Sequence, residues 1–289
     1  MTEWKLAAGD WIWGERVTRF FKIKAVLSTE EALQRIADLG FEGVELSWVS
    51  PETYPPEKVK RTVESLRRLN LDVANVYVDT AAKWPFGAFT NKNQQVREEV
   101  VRYVKSCIDV ALALGSPMVN IWPGSDGVPL SADYWTAWNW FIEGFSKCVE
   151  YAEKVNAKIS LEYKLREPCY FQLLANSDAA LRVIDAIRST SLGATIDTGH
   201  LIQAKEHLPT TVEKLGRALF HVHLDDNYGD WDDDLAVGEV HSFQDFFKAL
   251  RRIDYKGYLT LDLWPLTNPD EAVLKSKEYV ERVAKETVK

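Results

Sequence analysis

The chain has 289 residues, 46% of them hydrophobic, which is enough for a large core without disulfide staples and excludes a disordered chain. Its 43 acidic and 35 basic side chains give a net charge of −8, a field that repels polyanions and excludes nucleic acid and anionic membrane as expected partners. Cys107, Cys148 and Cys169 lack any Cys-x-x-Cys spacing, the N-terminus carries acidic residues where a leader needs basic ones, and no apolar run approaches the roughly 18 residues of a membrane span, so a soluble protein of the reducing cytoplasm is expected.

Short β-branched or aromatic runs alternate along the chain with longer stretches of helical period, the pattern of repeated βα units around a parallel sheet. A weak first strand is expected at 5–8, then a helix at 29–39 and a strand at 43–48. The helix at 56–69 starts on proline, tolerated because its missing N–H falls in the first turn. The strand at 71–78 leads to a helix at 93–114 that Gly115 should stop, and the strand at 118–122 to a helix at 132–155. Strands at 159–164 and 194–198 flank a helix at 177–187, and a helix at 209–218 precedes the strand at 220–224. A helix at 241–252, expected to stop at Gly257, a strand at 258–263 and a helix at 269–283 complete eight βα units. Markers near the ends of strands two to eight (Glu45, Val78, Trp122, Glu162, Asp197, His223, Asp262) are spaced by 26 to 44 positions with no Pro/Gly/Ser-rich linker. This favours an α/β fold of one (β/α)8 TIM barrel over 1–289, with two small domains or a doubly wound sheet as the alternatives.

A buried parallel strand should read as continuous apolar sequence, so a carboxylate inside one needs a partner or a metal. Four strands end in such residues: Glu162, Asp197, His223 and Asp262. A barrel brings C-terminal strand ends to one mouth, where three bare carboxylates require a compensating cation. Asp197-Thr198-Gly199-His200 adds a second ligand candidate, with glycine letting the chain turn sharply. Past His223 an acidic run contains Asp232 and Asp234, two carboxylates one residue apart that can reach one ion from an extended loop, so that a second metal bridged by Asp197 is expected. Lys164, two residues after Glu162, is either a substrate contact or a lysine snorkelling at a strand end. Trp122, with Trp11, Trp13, Trp48 and Trp264, suggests a pocket with flat apolar walls suited to the C–H faces of a sugar.

These residues resemble the xylose-isomerase-like TIM barrel superfamily, and within it the two-metal aldose–ketose isomerases of the xylose and rhamnose isomerase type. The similarity runs from strand four to strand eight through Trp122-Pro123-Gly124, Glu162-x-Lys164, Glu167-Pro168, Asp197-Thr198-Gly199-His200, His221-Val222-His223, Asp232-x-Asp234-Leu235 and Leu261-Asp262-Leu263-Trp264-Pro265. Asp at 197 with His at 223 is closer to the rhamnose isomerase pattern, and the third strand, ending Val76-Tyr77-Val78-Asp79, lacks the histidine that xylose isomerase uses in ring opening.

The resemblance implies a sugar isomerase that moves a hydride between C1 and C2 with two divalent ions, Mn2+, Mg2+ or Co2+. Glu162, Asp197, His223 and Asp262 would hold the first ion, and Asp197, His200, Asp232 and Asp234 the second. Lys164 and Asp234 are assigned to catalysis, and Trp122, Lys164, His200 and Trp13 to the sugar, with a homo-oligomer possible. The rival readings are a single-metal ketose 3-epimerase or inosose-dehydratase-like lyase, which uses Glu where Asp262 stands, a metal-dependent abasic-site endonuclease, disfavoured by the net charge and five histidines, and a non-catalytic sugar sensor.

Overall fold

In the computed structural model, which describes residues 4–17, 22–24, 27–167, 170–265 and 267–287, eight parallel strands close into a barrel. They are β1 (Leu6–Gly9), β2 (Gly43–Leu46), β3 (Asp72–Asp79), β4 (Met118–Trp122), β5 (Lys158–Glu162), β6 (Leu192–Asp197), β7 (Leu219–Leu224) and β8 (Leu259–Leu261). Each pairs with its neighbours in sequence, and β1 pairs with both β2 and β8 to close the ring, which removes the doubly wound alternative. Cys169 and Pro168 lie outside the described residues.

Helices α1 (Thr29–Asp38), α2 (Pro56–Leu69), α3 (Gln94–Leu114), α4 (Tyr134–Lys154) and α5 (Ser177–Ile187) follow β1 to β5. A six-residue α6 (Thr198–Gln203) and then α7 (Leu208–Leu215) follow β6, with α8 (Gln244–Arg252) and α9 (Pro269–Glu286) after β7 and β8. Local chemistry sets the ends. Ser28 and Glu31 form a capping box on α1, and Asn93 and Asp133 cap α3 and α4. Gly115 stops α3 at φ 94, but Gly257 does not stop α8, which ends at Arg252 with Asp254 taking the left-handed turn at φ 55. Two short antiparallel pairs, Glu15–Val17 with Lys22–Lys24 and Arg166–Glu167 with Tyr170–Phe171, decorate the loops after β1 and β5.

The barrel interior is unusually polar just below its C-terminal mouth. Glu45, Asn75, Asn120, Ser160, Thr195, His221 and Thr260 are all fully buried. Most of them are joined by hydrogen bonds: Ser160 Oγ with Thr195 Oγ1 at 2.5 Å, Thr195 Oγ1 to Asn120 at 2.9 Å, and Thr260 Oγ1 with His221 Nε2 at 3.1 Å. These bonds stiffen the floor of the mouth, although Glu45 Oε1, Asn75 Nδ2 and His221 Nδ1 are buried without a hydrogen-bond partner among the described residues. Cys107 on α3 and Cys148 on α4 are free and buried, and burial pushes both thiols up to about 12, which leaves them inert packing residues. No helix among the described residues is long and apolar enough to cross a membrane.

Candidate active site

The barrel register sets the residues side by side at the mouth. Asp197 pairs with His223 across β6 and β7, and Thr195 with Glu162 across β6 and β5. Asp262 follows the end of β8, and its backbone N–H is held by Leu224 O at 3.0 Å. His223 Nδ1 therefore faces three carboxylates: Asp262 Oδ2 at 3.2 Å, Glu162 Oε1 at 3.6 Å and Asp197 Oδ2 at 3.7 Å. One ligand atom from each of these four residues lies within 4.8 Å of the others, as is also true of Asp197, His200 and Asp232 and of Asp225, Asp232 and Asp234. Asp197 is common to the first two groups and Asp232 to the last two.

Each of these side chains is braced. Asn120 donates to Glu162 Oε2 at 2.6 Å, and Trp11 Nε1 donates to Asp262 Oδ1 at 2.8 Å. His223 Nε2 meets Glu45 Oε2 at 3.0 Å, and His221 Nε2 meets the same oxygen at 2.8 Å. Asp197 caps α6 by accepting from the backbone of His200 at 2.9 Å, and His200 Nδ1 bonds the Tyr163 carbonyl at 3.1 Å, leaving Nε2 to face Asp232 at 3.1 Å. Such outer partners fix which ring nitrogen faces a metal.

The acidic run after β7 divides by role. Asp226 and Leu235 form an antiparallel bridge that closes the loop, and Asp226 also accepts from the backbone of Val240 and His241. Asp225 and Asp232 are buried and Asp234 half-buried, whereas Asp230 is exposed. Asp234 sits in the left-handed region at φ 46, where aspartate is tolerated, with its carbonyl held by the Trp264 N–H at 3.0 Å. Gly199 has a different task from the sharp turn expected of it: the chain simply enters α6, and a Cβ at this position would lie 1.9 Å from Asp225 Oδ2 and 2.7 Å from Asp232 Oδ1.

Electrostatics follow from this crowding. Burial raises the carboxyls of Asp225, Asp234 and Asp262, with neighbouring carboxylates adding to the effect. Burial works against charge on His200 and His223, but the facing carboxylates outweigh it, raising His200 to about 9 and His223 well above its ordinary value. Burial likewise opposes charge on Asp232 and Lys164, and their mutual attraction reverses both, lowering the carboxyl and raising the ammonium. Lys164 Nζ is 2.9 Å from both Asp232 and Glu167, and it lies 5.6 Å over the Trp122 ring and 5.7 Å over Trp231.

Trp122 stacks on Tyr77 at 6.5 Å, and Tyr77 meets Trp11 at 6.0 Å, so one side of the mouth is a continuous aromatic wall. Trp122 Nε1 is buried without a partner among the described residues. Of the two early tryptophans, Trp11 reaches the carboxylates; Trp13 donates instead to Asp270 at 2.7 Å, at the start of α9. Sequence reasoning also passed over Glu45, His221 and Asp225. Glu45 marked a strand end and His221 stood in a quoted motif, and their polarity inside apolar strands was the available signal.

Residues 33–283 match the xylose isomerase-like TIM barrel family. The xylose isomerase of Thermus thermophilus is 28% identical over 261 residues, covering 83% of this chain and 66% of that enzyme. The fructoselysine 3-epimerase of Shigella flexneri is 22% identical over 242 residues, covering 82% of this chain and 86% of that one. Among solved structures, a D-tagatose 3-epimerase-like protein superposes with a TM-score of 0.80 over 98% of this chain and 99% of that one, at 23% identity, which is a likeness of fold.

Proposed function

The chain belongs to the xylose isomerase-like TIM barrel family, and from that premise we propose that it is a divalent-metal-dependent sugar isomerase interconverting an aldose and its ketose by a 1,2-hydride shift. Its relatives include an isomerase and an epimerase of sugars, both of the isomerase class. The observation that carries the finer reading is the second donor group, Asp197, His200 and Asp232 with Asp234 alongside, sharing Asp197 with the first. In a single-ion enzyme the Asp232/Asp234 pair would stand outside the metal site.

The residues fit two divalent ions. His223 Nδ1 and Asp232 Oδ1 are buried without a hydrogen bond, and mixed carboxylate and imidazole donors suit Mn2+, Mg2+ or Co2+. Glu162, Asp197, His223 and Asp262 would hold one ion and Asp197, His200, Asp232 and Asp234 the other; when bound, the pair supplies Lewis-acid polarisation of the substrate's O1 and O2. Lys164 is the donor for O1, stabilising charge that develops there. Asp234 receives the O2 proton. The wall of Trp11, Tyr77 and Trp122 packs the sugar's C–H face and excludes water, and Trp122 Nε1 is free for a hydroxyl.

Asp262 is poorly suited to the proton abstraction an epimerase needs, because Oδ1 is held by Trp11 and the carboxylate is assigned to the first ion. Turnover of an accepted sugar in D2O, followed by NMR of the product, is expected to give an aldose–ketose pair with essentially no carbon-bound deuterium. A ketose–ketose pair carrying deuterium at C3 overturns the hydride-shift reading in favour of epimerisation.

A further inference from the structure

Asp225 is a carboxylate of the acidic run that neither ion claims above and that, unlike Asp226, keeps an oxygen without a partner. It is fully buried. Its Oδ1 accepts from Gly199 N at 2.6 Å and from the Thr198 hydroxyl at 3.0 Å, while Oδ2 has no partner. Asp232 shows the same asymmetry: Oδ2 is taken by Lys164 at 2.9 Å and His200 at 3.1 Å, and Oδ1 has none. Both unpartnered oxygens crowd the face of Gly199, 1.9 Å and 2.7 Å from where a Cβ would stand. Asp234 contributes an oxygen to the same group within 4.8 Å.

Two buried carboxylate oxygens that crowd the same face of Gly199 with no hydrogen-bond donor repel in a low-dielectric site. The nearest cation, Lys164, is engaged on the other oxygen of Asp232. A bound cation relieves the pair when present, as a proton on one carboxyl does in its absence. We propose that Asp225 is an additional ligand of the second divalent ion, adding its Oδ2 to the oxygens of Asp232 and Asp234 and biasing that site toward a hard ion such as Mn2+ or Mg2+ over Zn2+. The inference rests on the two-ion reading above. Its physical content is ligand charge and hardness: a further carboxylate raises affinity for oxygen-seeking cations more than for an ion that prefers imidazole or thiolate. The bonds at Oδ1 from Gly199 and Thr198 aim Oδ2 at the ion, as outer partners do for other ligands.

The rival role is a clamp on the start of α6 through Oδ1, and Asp225→Asn separates the two. Asparagine keeps an oxygen for Gly199 N and Thr198 and replaces the anionic Oδ2 with a neutral group. Titration with Mn2+ alone, read by electron paramagnetic resonance, is expected to give two ions per wild-type chain. In the variant the weaker ion's Kd should rise about tenfold or more with the first unchanged, and the Mn2+ over Zn2+ preference in competition should fall. Unchanged affinity and preference in a two-ion variant would make Asp225 a clamp only. A wild type that binds one ion or none overturns the two-ion reading and this inference with it. If the variant does not fold, the crystal structure of wild-type protein soaked in Mn2+ decides: Asp225 Oδ2 at an ordinary ligand distance of about 2.2 Å supports the assignment, and an ion beyond hydrogen-bond range of it refutes the assignment.

Discussion

Glu45→Gln tests whether the buried floor of the barrel tunes the mouth. His223 stands between them, with Nδ1 toward Asp262, Glu162 and Asp197 and Nε2 at 3.0 Å from Glu45 Oε2. Burial alone would push Glu45 up, but His223 and His221 outweigh it and bring the carboxyl down to about 2, so it is an anionic acceptor at any working pH. An imidazole whose far N–H is held by a carboxylate presents its other nitrogen in a fixed tautomer and with raised basicity, and loss of such a partner typically costs about 10- to 100-fold in metal affinity. At about 1.4 kcal/mol per decade that is about 1.4 to 2.8 kcal/mol. Glutamine preserves the volume and one acceptor but removes the charge, and its amide group competes to donate to the ring nitrogen. We expect the Kd of the first Mn2+ to rise within that range by calorimetric titration and the second to change by less than about threefold. A first-site Kd within about threefold of wild type refutes the argument.

Three further outcomes follow from other parts of the site. Lys164→Met keeps much of the apolar stem and removes the O1 donor, so kcat should fall on the order of 10²-fold or more with both ions still bound; near-wild-type turnover returns the residue to its salt bridges with Glu167 and Asp232. Excess chelator should abolish turnover and lower the Tm, since an ion at about 100 times its Kd adds about 2.7 kcal/mol to native stability; an unchanged melt with full activity removes the metal reading. Asp126 ties the loop after β4 to the backbone of Ala88 and Thr90 at 2.9 and 2.7 Å, and burial raises its carboxyl from 3.8 to about 6 despite those bonds. The native state thus keeps a proton that the unfolded chain releases, so this group's stabilisation is full below pH 3.8 and is lost as pH rises through about 6, by about 3 kcal/mol. Urea unfolding of Asp126→Asn should lack that slope between about pH 4 and pH 8, and curves parallel to wild type refute it.

The barrel was legible because its strands are buried on both faces, so runs such as Leu192–Asp197 read as apolar blocks between helices of clear period. The same property exposed the site: Glu162, Asp197 and His223 stand out as charges closing apolar runs, and the structure brings them together with Asp262. Boundaries were less legible. Proline at the start of α2 and glycine after α3 act locally and could be read, whereas α8 ends five residues before Gly257 because Asp254 accepts a left-handed backbone without glycine.

The contacts that escaped sequence reasoning span long distances in the chain. Glu45 meets His221 and His223 across 176 and 178 positions, and Trp11 meets Asp262 across 251, so neither pairing leaves a local pattern. The choice between Trp11 and Trp13 depended on the short 3-10 turn at Asp10–Trp13, which sends one indole to the mouth and the other to Asp270. Asp197-Thr198-Gly199-His200 is the instructive middle case. Its residues could be read as ligands, but its geometry could not, because Asp197 serves at once as a strand end, the cap of α6 and a donor to both clusters. That overlap explains the glycine: capping through Asp197 brings His200 back over the carboxylates, and the helix start then lies so close to Asp225 and Asp232 that no side chain fits at 199. Gly199→Ala should therefore disturb the second cluster while sparing the first, although neither position 199 nor its backbone offers a ligand atom of its own to either group.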